Sequence, residues 1–103
     1  MWYAASLLFR RTRESGSNDD LLWEESIRLI KADSEEDAQV LAQKLGQSAP
    51  VVYETTEGTV TWTFDRVERV FTIDSESLVN GTELFSRFLR NSEVLSLLTP
   101  FDE

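Results

Sequence analysis

Chemistry in this chain would have to come from carboxylates. Its 103 residues include no histidine and no cysteine, which removes the usual general base, the commonest metal ligands and every thiolate nucleophile. Asp and Glu together number 19. Glu24 and Glu25 are adjacent, so on a strand they point to opposite faces and cannot act as a carboxylate pair. The run "DSEED", Asp33–Asp37, lacks the spaced oxygens and glycine turn of a calcium loop and reads as the charged start of a helix. A serine–lysine arrangement would need Lys31, at a strand end, or Lys44, beside the apolar stripe of a helix, and neither sits in a nucleophile motif. The four glycines are scattered turn positions and form no phosphate loop. Asn80-Gly81-Thr82 matches a glycosylation sequon but reads as a turn and a cap. Trp62 and Phe64, at strand spacing beside Val60, read as core before they read as a stacking platform.

One acid stands out by its setting. In "LLWEESIRLI", Leu21–Ile30, one period-two phase is Leu21, Trp23, Glu25, Ile27 and Leu29. That phase predicts Glu25 on a buried face, where a carboxylate without a partner costs several kcal/mol. Arg87, flanked by Ser86 and Phe88 and one turn after Glu83, is the expected partner, because an arginine fork can hold a carboxylate with two hydrogen bonds. The expectation is a Glu25–Arg87 pair with Ser86 or Glu83 nearby, tying the second strand to a C-terminal helix. It serves either as a lock on the fold or as the polar floor of a ligand pocket. A bulge at Glu24-Glu25 would instead turn the carboxylate to solvent.

The elements that must position these residues follow from periodicity. Residues 2–13 alternate, with Tyr3, Ala5, Leu7 and Phe9 in one phase before arginines take over, which predicts a strand. A polar loop at 14–20 joins it to a second strand, Leu21–Ala32, as a hairpin. Asp33 or Ser34 can cap the helix that follows. Its apolar face is Ala38, Leu41, Ala42 and Leu45, and Gly46 is read as the stop. Residues 50–73 read as two strands about Glu57-Gly58, with Val60, Trp62 and Phe64 inward. A bulge near Asp65-Arg66 would return Val67, Phe71 and Ile73 to the inner face, leaving Arg69 unaccounted for. Asn80-Gly81 makes a turn and Thr82 caps a second helix with the stripe Leu84, Phe85, Phe88 and Leu89. Asn91-Ser92 interrupts it, and "SEVLSLL" adds a short turn. The order ββαββα predicts a single α+β domain over 1–103, a mostly antiparallel four-stranded sheet with its helices on one face. The crossover through the first helix should set strands two and three parallel or in separate layers.

Composition narrows the partners. The length suits one core without staples, and 6 Phe, 3 Trp and 2 Tyr are available to fill it. A net charge of −9 repels DNA and RNA at long range. Arg10, Arg11 and Arg13 are the charges of the first thirteen residues, leaving −12 on the rest. No apolar run reaches the roughly 18 residues of a membrane span, and the basic residues follow the first apolar stretch, the reverse of a secretory leader. The expectation is a cytoplasmic protein without nucleic-acid or membrane partners and without a cofactor.

The stretches "WYAASLLF", "WEESIRLIKADSEEDA" (Trp23–Ala38), "TVTWTFDRVERVF" (Thr59–Phe71) and "NGTELFSRFL" (Asn80–Leu89) resemble a small, mainly bacterial family catalogued as domain of unknown function 4288. Gly81, Thr82, Glu83, Ser86 and Arg87 form the most specific part of the likeness. "YETTEG" departs from it, since an asparagine is expected near Thr55 or Thr56. The resemblance implies a compact bacterial domain and brings no activity or catalytic residue with it.

The reading that follows is a non-catalytic interaction domain that self-associates. Trp2 and Leu8 of the first strand, with Leu22 and Ile30 of the second, are taken as an outward apolar surface, and such surfaces mark interfaces. Two alternatives stand beside the homodimer. One is an immunity- or antitoxin-like binder of a basic protein through charge complementarity. The other is a weak carboxylate-based enzyme. With neither His nor Cys, only weak oxygen sites are available to a transition metal. Zinc titrated calorimetrically at neutral pH should show no stoichiometric site, and a micromolar site would contradict this.

Overall fold

The first strand is the centre of the molecule, with the consecutive residues Tyr3, Ala4, Ala5, Ser6 and Leu7 all buried. In the computed structural model, which describes residues 1–13, 22–48, 51–56, 58–74 and 77–99, β1 (Trp2–Arg13) is paired on both sides. β2 (Leu22–Lys31) lies on one side. β4 (Gly58–Ile73) lies on the other and carries β3 (Val51–Thr55) beyond it. The sheet order is β2-β1-β4-β3 and every neighbouring pair is antiparallel. Pairing between β1 and β4 joins the two hairpins into one sheet. It also places β2 and β3 at opposite edges, running in opposite directions. The crossover therefore spans the whole sheet, and the expectation of parallel or separately layered strands two and three does not hold. The expected loop at 14–20 and the Glu57 half of the expected turn lie outside the described residues. Gly58, on the other half, has φ 120°, a conformation that suits glycine.

α1 (Glu35–Gln47) crosses one face of the sheet. Ser34, not Asp33, is its cap, and its Oγ accepts from the Asp37 amide at 3.1 Å. Glu35, Glu36 and Asp37 lie at the positive end of the helix dipole and Lys44 at the negative end. The buried stripe is narrower than expected: Ala38, Ala42 and Gly46, at i, i+4 and i+8, are buried, while Leu41 and Leu45 are exposed. Three residues this small let the helix backbone lie close on the sheet. Gly46 is inside the helix and does not end it. A β-carbon there would run into the ring of Phe64. The core beneath holds Tyr3, Ala5, Leu7, Phe9 and Ile30 against Ala38 and Ala42, with Trp62, Phe64, Val67 and Val70 at its margin. The Phe9 and Phe64 rings meet at 5.6 Å.

β4 changes phase twice. Its register against β1 shifts between Ser6 and Leu7 and again between Leu8 and Phe9, leaving Glu68 and Asp65 without cross-strand partners on β1. The bulge at Asp65 is the one expected from the sequence. The second, at Glu68, accounts for Arg69. Val67 pairs with Leu7 on the α1 side, and Arg69 pairs with Ser6 on the other. Phe71 and Ile73 follow Arg69 to that second face, so the expectation that they line the helix side with Val67 is corrected.

The C-terminal part departs most from expectation. Residues 82–90 are not helical. Thr82 instead closes a turn over Val79–Thr82: its Oγ1 accepts from the Val79 amide at 3.0 Å, and its own amide donates to the Val79 carbonyl at 3.1 Å. The helix begins later, as α2 (Asn91–Leu98), where Glu93 Oε1 accepts from the Arg90 amide at 3.0 Å. The physical reason lies in residues 85 and 87. Both reach the sheet, and neighbours at i and i+2 share a face in extended chain but not in a helix. The α+β class and the order ββαββα hold. α1 covers one face; α2 has no buried residue. No helix among the described residues is long and apolar enough to cross a membrane.

The close fit of Gly46 generates a test. Gly46→Ala should gain about 1 kcal/mol in helix propensity and lose more to overpacking, which typically costs about 1–3 kcal/mol. A net loss in chemical denaturation is expected, while Gln43→Ala on the exposed side should stay within about 0.5 kcal/mol of the parent. A stabilised G46A variant would show that the Phe64 ring yields freely.

Candidate interaction face

The face away from α1 is organised around a serine. Ser6 lies in the middle of β1 and is fully buried. Its hydroxyl donates to Glu25 Oε2 at 2.6 Å. Arg87 Nη1 donates to the same oxygen at 3.4 Å. The structure thus brings Glu25 and Arg87 together, through a single long contact in place of a two-pronged fork. Their side chains remain 32% and 33% exposed, so Glu25 does not lie in the closed core. Exposed pairs of this kind are worth at most about 1 kcal/mol. The buried hydroxyl makes the shorter bond to the carboxylate.

Register explains the placement. β1 and β2 pair Trp2 with Lys31, Ser6 with Ile27 and Leu8 with Glu25. Even positions of β1 therefore share a face with odd positions of β2. Trp2, Ser6 and Leu8 lie with Trp23, Glu25, Ile27 and Leu29 on the open face. Leu22 and Ile30 lie on the α1 side, and Ile30 is buried in the core opposite Tyr3. The four residues taken as one apolar surface are therefore split two and two. Trp2 and Leu8 stay on the open face, half-buried, and their neighbours there are Trp23, Ile27 and Leu29, each between 45% and 48% exposed.

The segment after the Val79–Thr82 turn crosses this face. The Phe85 ring packs on Phe71 of β4 with centroids 5.7 Å apart. The guanidinium carbons of Arg69 and Arg87 lie 5.7 and 5.9 Å from the Phe85 ring centre. Arg87 then reaches Glu25 on β2. Ser86, between Phe85 and Arg87, is exposed and makes no hydrogen bond to the pair, as alternation in extended chain requires. Glu83 is also apart from it. It lines a separate concavity of about 330 Å³ with Asp74, Asn80 and Thr82. Sequence reasoning missed Ser6, Arg69 and Phe71. Ser6 had a signal, as the one small polar residue between alanines and leucines in the run from Trp2 to Phe9. The other two were hidden by the second bulge.

On the α1 side, beyond the end of the helix, Phe9, Glu24, Arg28, Val51, Tyr53 and Trp62 line a bowl of about 340 Å³. Glu24 and Glu25 do point to opposite faces. Among the described residues there is no group of three acidic side chains positioned to hold a metal ion.

A family model described as a domain of unknown function (DUF4288) matches residues 2–86. The match takes in all four strands and α1, together with Ser6, Glu25 and Phe85, and stops one residue short of Arg87. The chain belongs to that family. No curated protein and no solved structure matches it.

The geometry ranks two substitutions. Glu25→Ala leaves the buried Ser6 hydroxyl without its acceptor and should cost about 1–3 kcal/mol. Arg87→Ala removes a partly solvated contact and should cost under about 1 kcal/mol. Urea denaturation of both variants checks the order, and a larger loss for R87A would reverse this account of the cluster.

Proposed function

We propose that this member of the DUF4288 family is a non-catalytic interaction domain that forms a homodimer through its open sheet face and the β2 edge. The observation that carries the reading is the row Trp23, Ile27 and Leu29, large apolar side chains exposed along an edge strand. An edge strand with free backbone groups and apolar side chains pairs with other chains unless it is covered. A cytoplasmic, bacterial setting fits the family resemblance and a composition without cysteine.

Surface area supports the same reading. The chain exposes 7776 Å², against roughly 5,900 Å² expected of a folded monomer of its mass. Its radius of gyration is 16.3 Å, where about 13 Å is usual for this length. Part of that excess lies in the apolar side chains of the β2 row and of α2, and an interface of standard size buries roughly 800 Å² from each partner.

Salt dependence separates self-association from binding to a basic partner. Two copies of a −9 chain repel each other, so apolar burial must drive the dimer, and added salt should strengthen it by screening. Binding to a basic protein would weaken with salt. Sedimentation velocity over a micromolar range, at about 0.05 and 0.5 M salt, should show a dimer that tightens with salt. Ile27→Asp should shift the population to monomer. A monomer throughout would end the proposal.

A further inference from the structure

Resting on the dimer reading, we propose that the C-terminal arm, Phe88–Leu98, is exchanged between copies. In this arrangement α2 of one chain seats on the Trp23, Ile27 and Leu29 row of its partner.

The first argument is that α2 cannot stand as it is. It has eight residues and none is buried. Helices shorter than about 12 residues are marginal in water without packing. Yet Val94, Leu95, Leu97 and Leu98 are all large and exposed, and Phe88 ahead of them is 105% exposed. A segment this apolar and this unsupported needs a surface.

The second argument is direction. Phe85 is held on Phe71 of β4 and Arg87 at Glu25 of β2. The chain therefore runs from β4 across β1 to the outer strand, and the residues after Arg87 are delivered at the β2 edge. Phe85 and Arg87 act as the hinge clamp that fixes where the arm departs. The third argument is fit. Eight helical residues span about 12 Å, and Trp23 to Leu29 spans about 20 Å along β2. The row therefore has length for α2 together with Phe88 and Leu89. When two β2 edges meet about a twofold axis, each arm is delivered toward the other copy's row, and one contact is made twice. Burying both arms and both rows accounts for surface in excess of what a monomer shows.

The chain has no native cysteine, so single cysteines report cleanly. Full-length I27C and L95C proteins are mixed, allowed to exchange subunits and treated with a short bis-maleimide. The expected result is a covalent dimer whose crosslinked peptides join position 27 of one chain to position 95 of the other. Leu95→Asp, at an exposed position, should raise the dimer dissociation constant by at least about tenfold, as for one lost buried leucine, with an unchanged circular dichroism spectrum in the strand region. A dimer that persists in L95D and gives no mixed crosslink overturns the arm and leaves the dimer standing. A chain carrying both I27C and L95C that crosslinks within itself at high dilution places the arm on its own sheet and also overturns exchange. A wild-type chain that is monomeric throughout overturns both readings.

Discussion

The arrangement of the whole molecule depends on which residues of β1 and β2 stand opposite each other. Pairing Leu8 with Glu25 and Tyr3 with Ile30 couples even positions on one strand to odd positions on the other. That choice sends Tyr3, Ala5, Leu7 and Phe9 toward α1 together with Ile30. It sends Ser6 and Leu8 to the open face together with Glu25 and Ile27. A slip of one residue would exchange the two sets. Glu25 would then lie under α1 without a hydroxyl to meet it, and Ile30 would be in water. The register is what joins a core, a polar cluster and an apolar row on a single hairpin.

Much of the fold was legible in the sequence because periodicity reports it directly. Both hairpins, α1, the bulge at Asp65 and the α+β class follow from apolar spacing and turn residues. What was not legible depends on comparisons between strands. Each strand shows two phases, and the sequence does not say which phase of β2 accompanies which phase of β1. Alternation within β2 alone therefore puts Ile30 outward and Glu25 inward. The same limit hid the bulge at Glu68, since Arg69 becomes intelligible once Ser6 is known to stand opposite it. In the C-terminal part, Leu84, Phe85, Phe88 and Leu89 have good helical spacing. The sheet contacts of Phe85 and Arg87 override it, because those contacts require extended chain. Helical spacing puts Leu41 and Leu45 in the buried stripe, whereas close approach to Phe64 favours Gly46.

The polar cluster and the apolar row play different parts. Ser6, Glu25 and Arg87 satisfy one another within a single chain and so do not drive association, but they fix the path of the segment that crosses the open face. The row on β2 supplies apolar area and no direction. Acidity works against self-association at long range, which favours a contact made by burial close to β2 over one made by steering. The family match covers the sheet, α1 and Phe85 but ends before Arg87. The clamp is thus half inside the shared domain, and α2 lies outside the matched residues.

Amide hydrogen exchange followed as a function of protein concentration tests self-association through this face most directly. It reports on β2 and the rest of the sheet in the same sample. At dilution β2 is a free edge and its outward amides should exchange rapidly. At high concentration the amides of residues 22–31 should gain protection, while those of β1, already paired on both sides, should not change. Protection of β2 that is the same at every concentration would contradict the account.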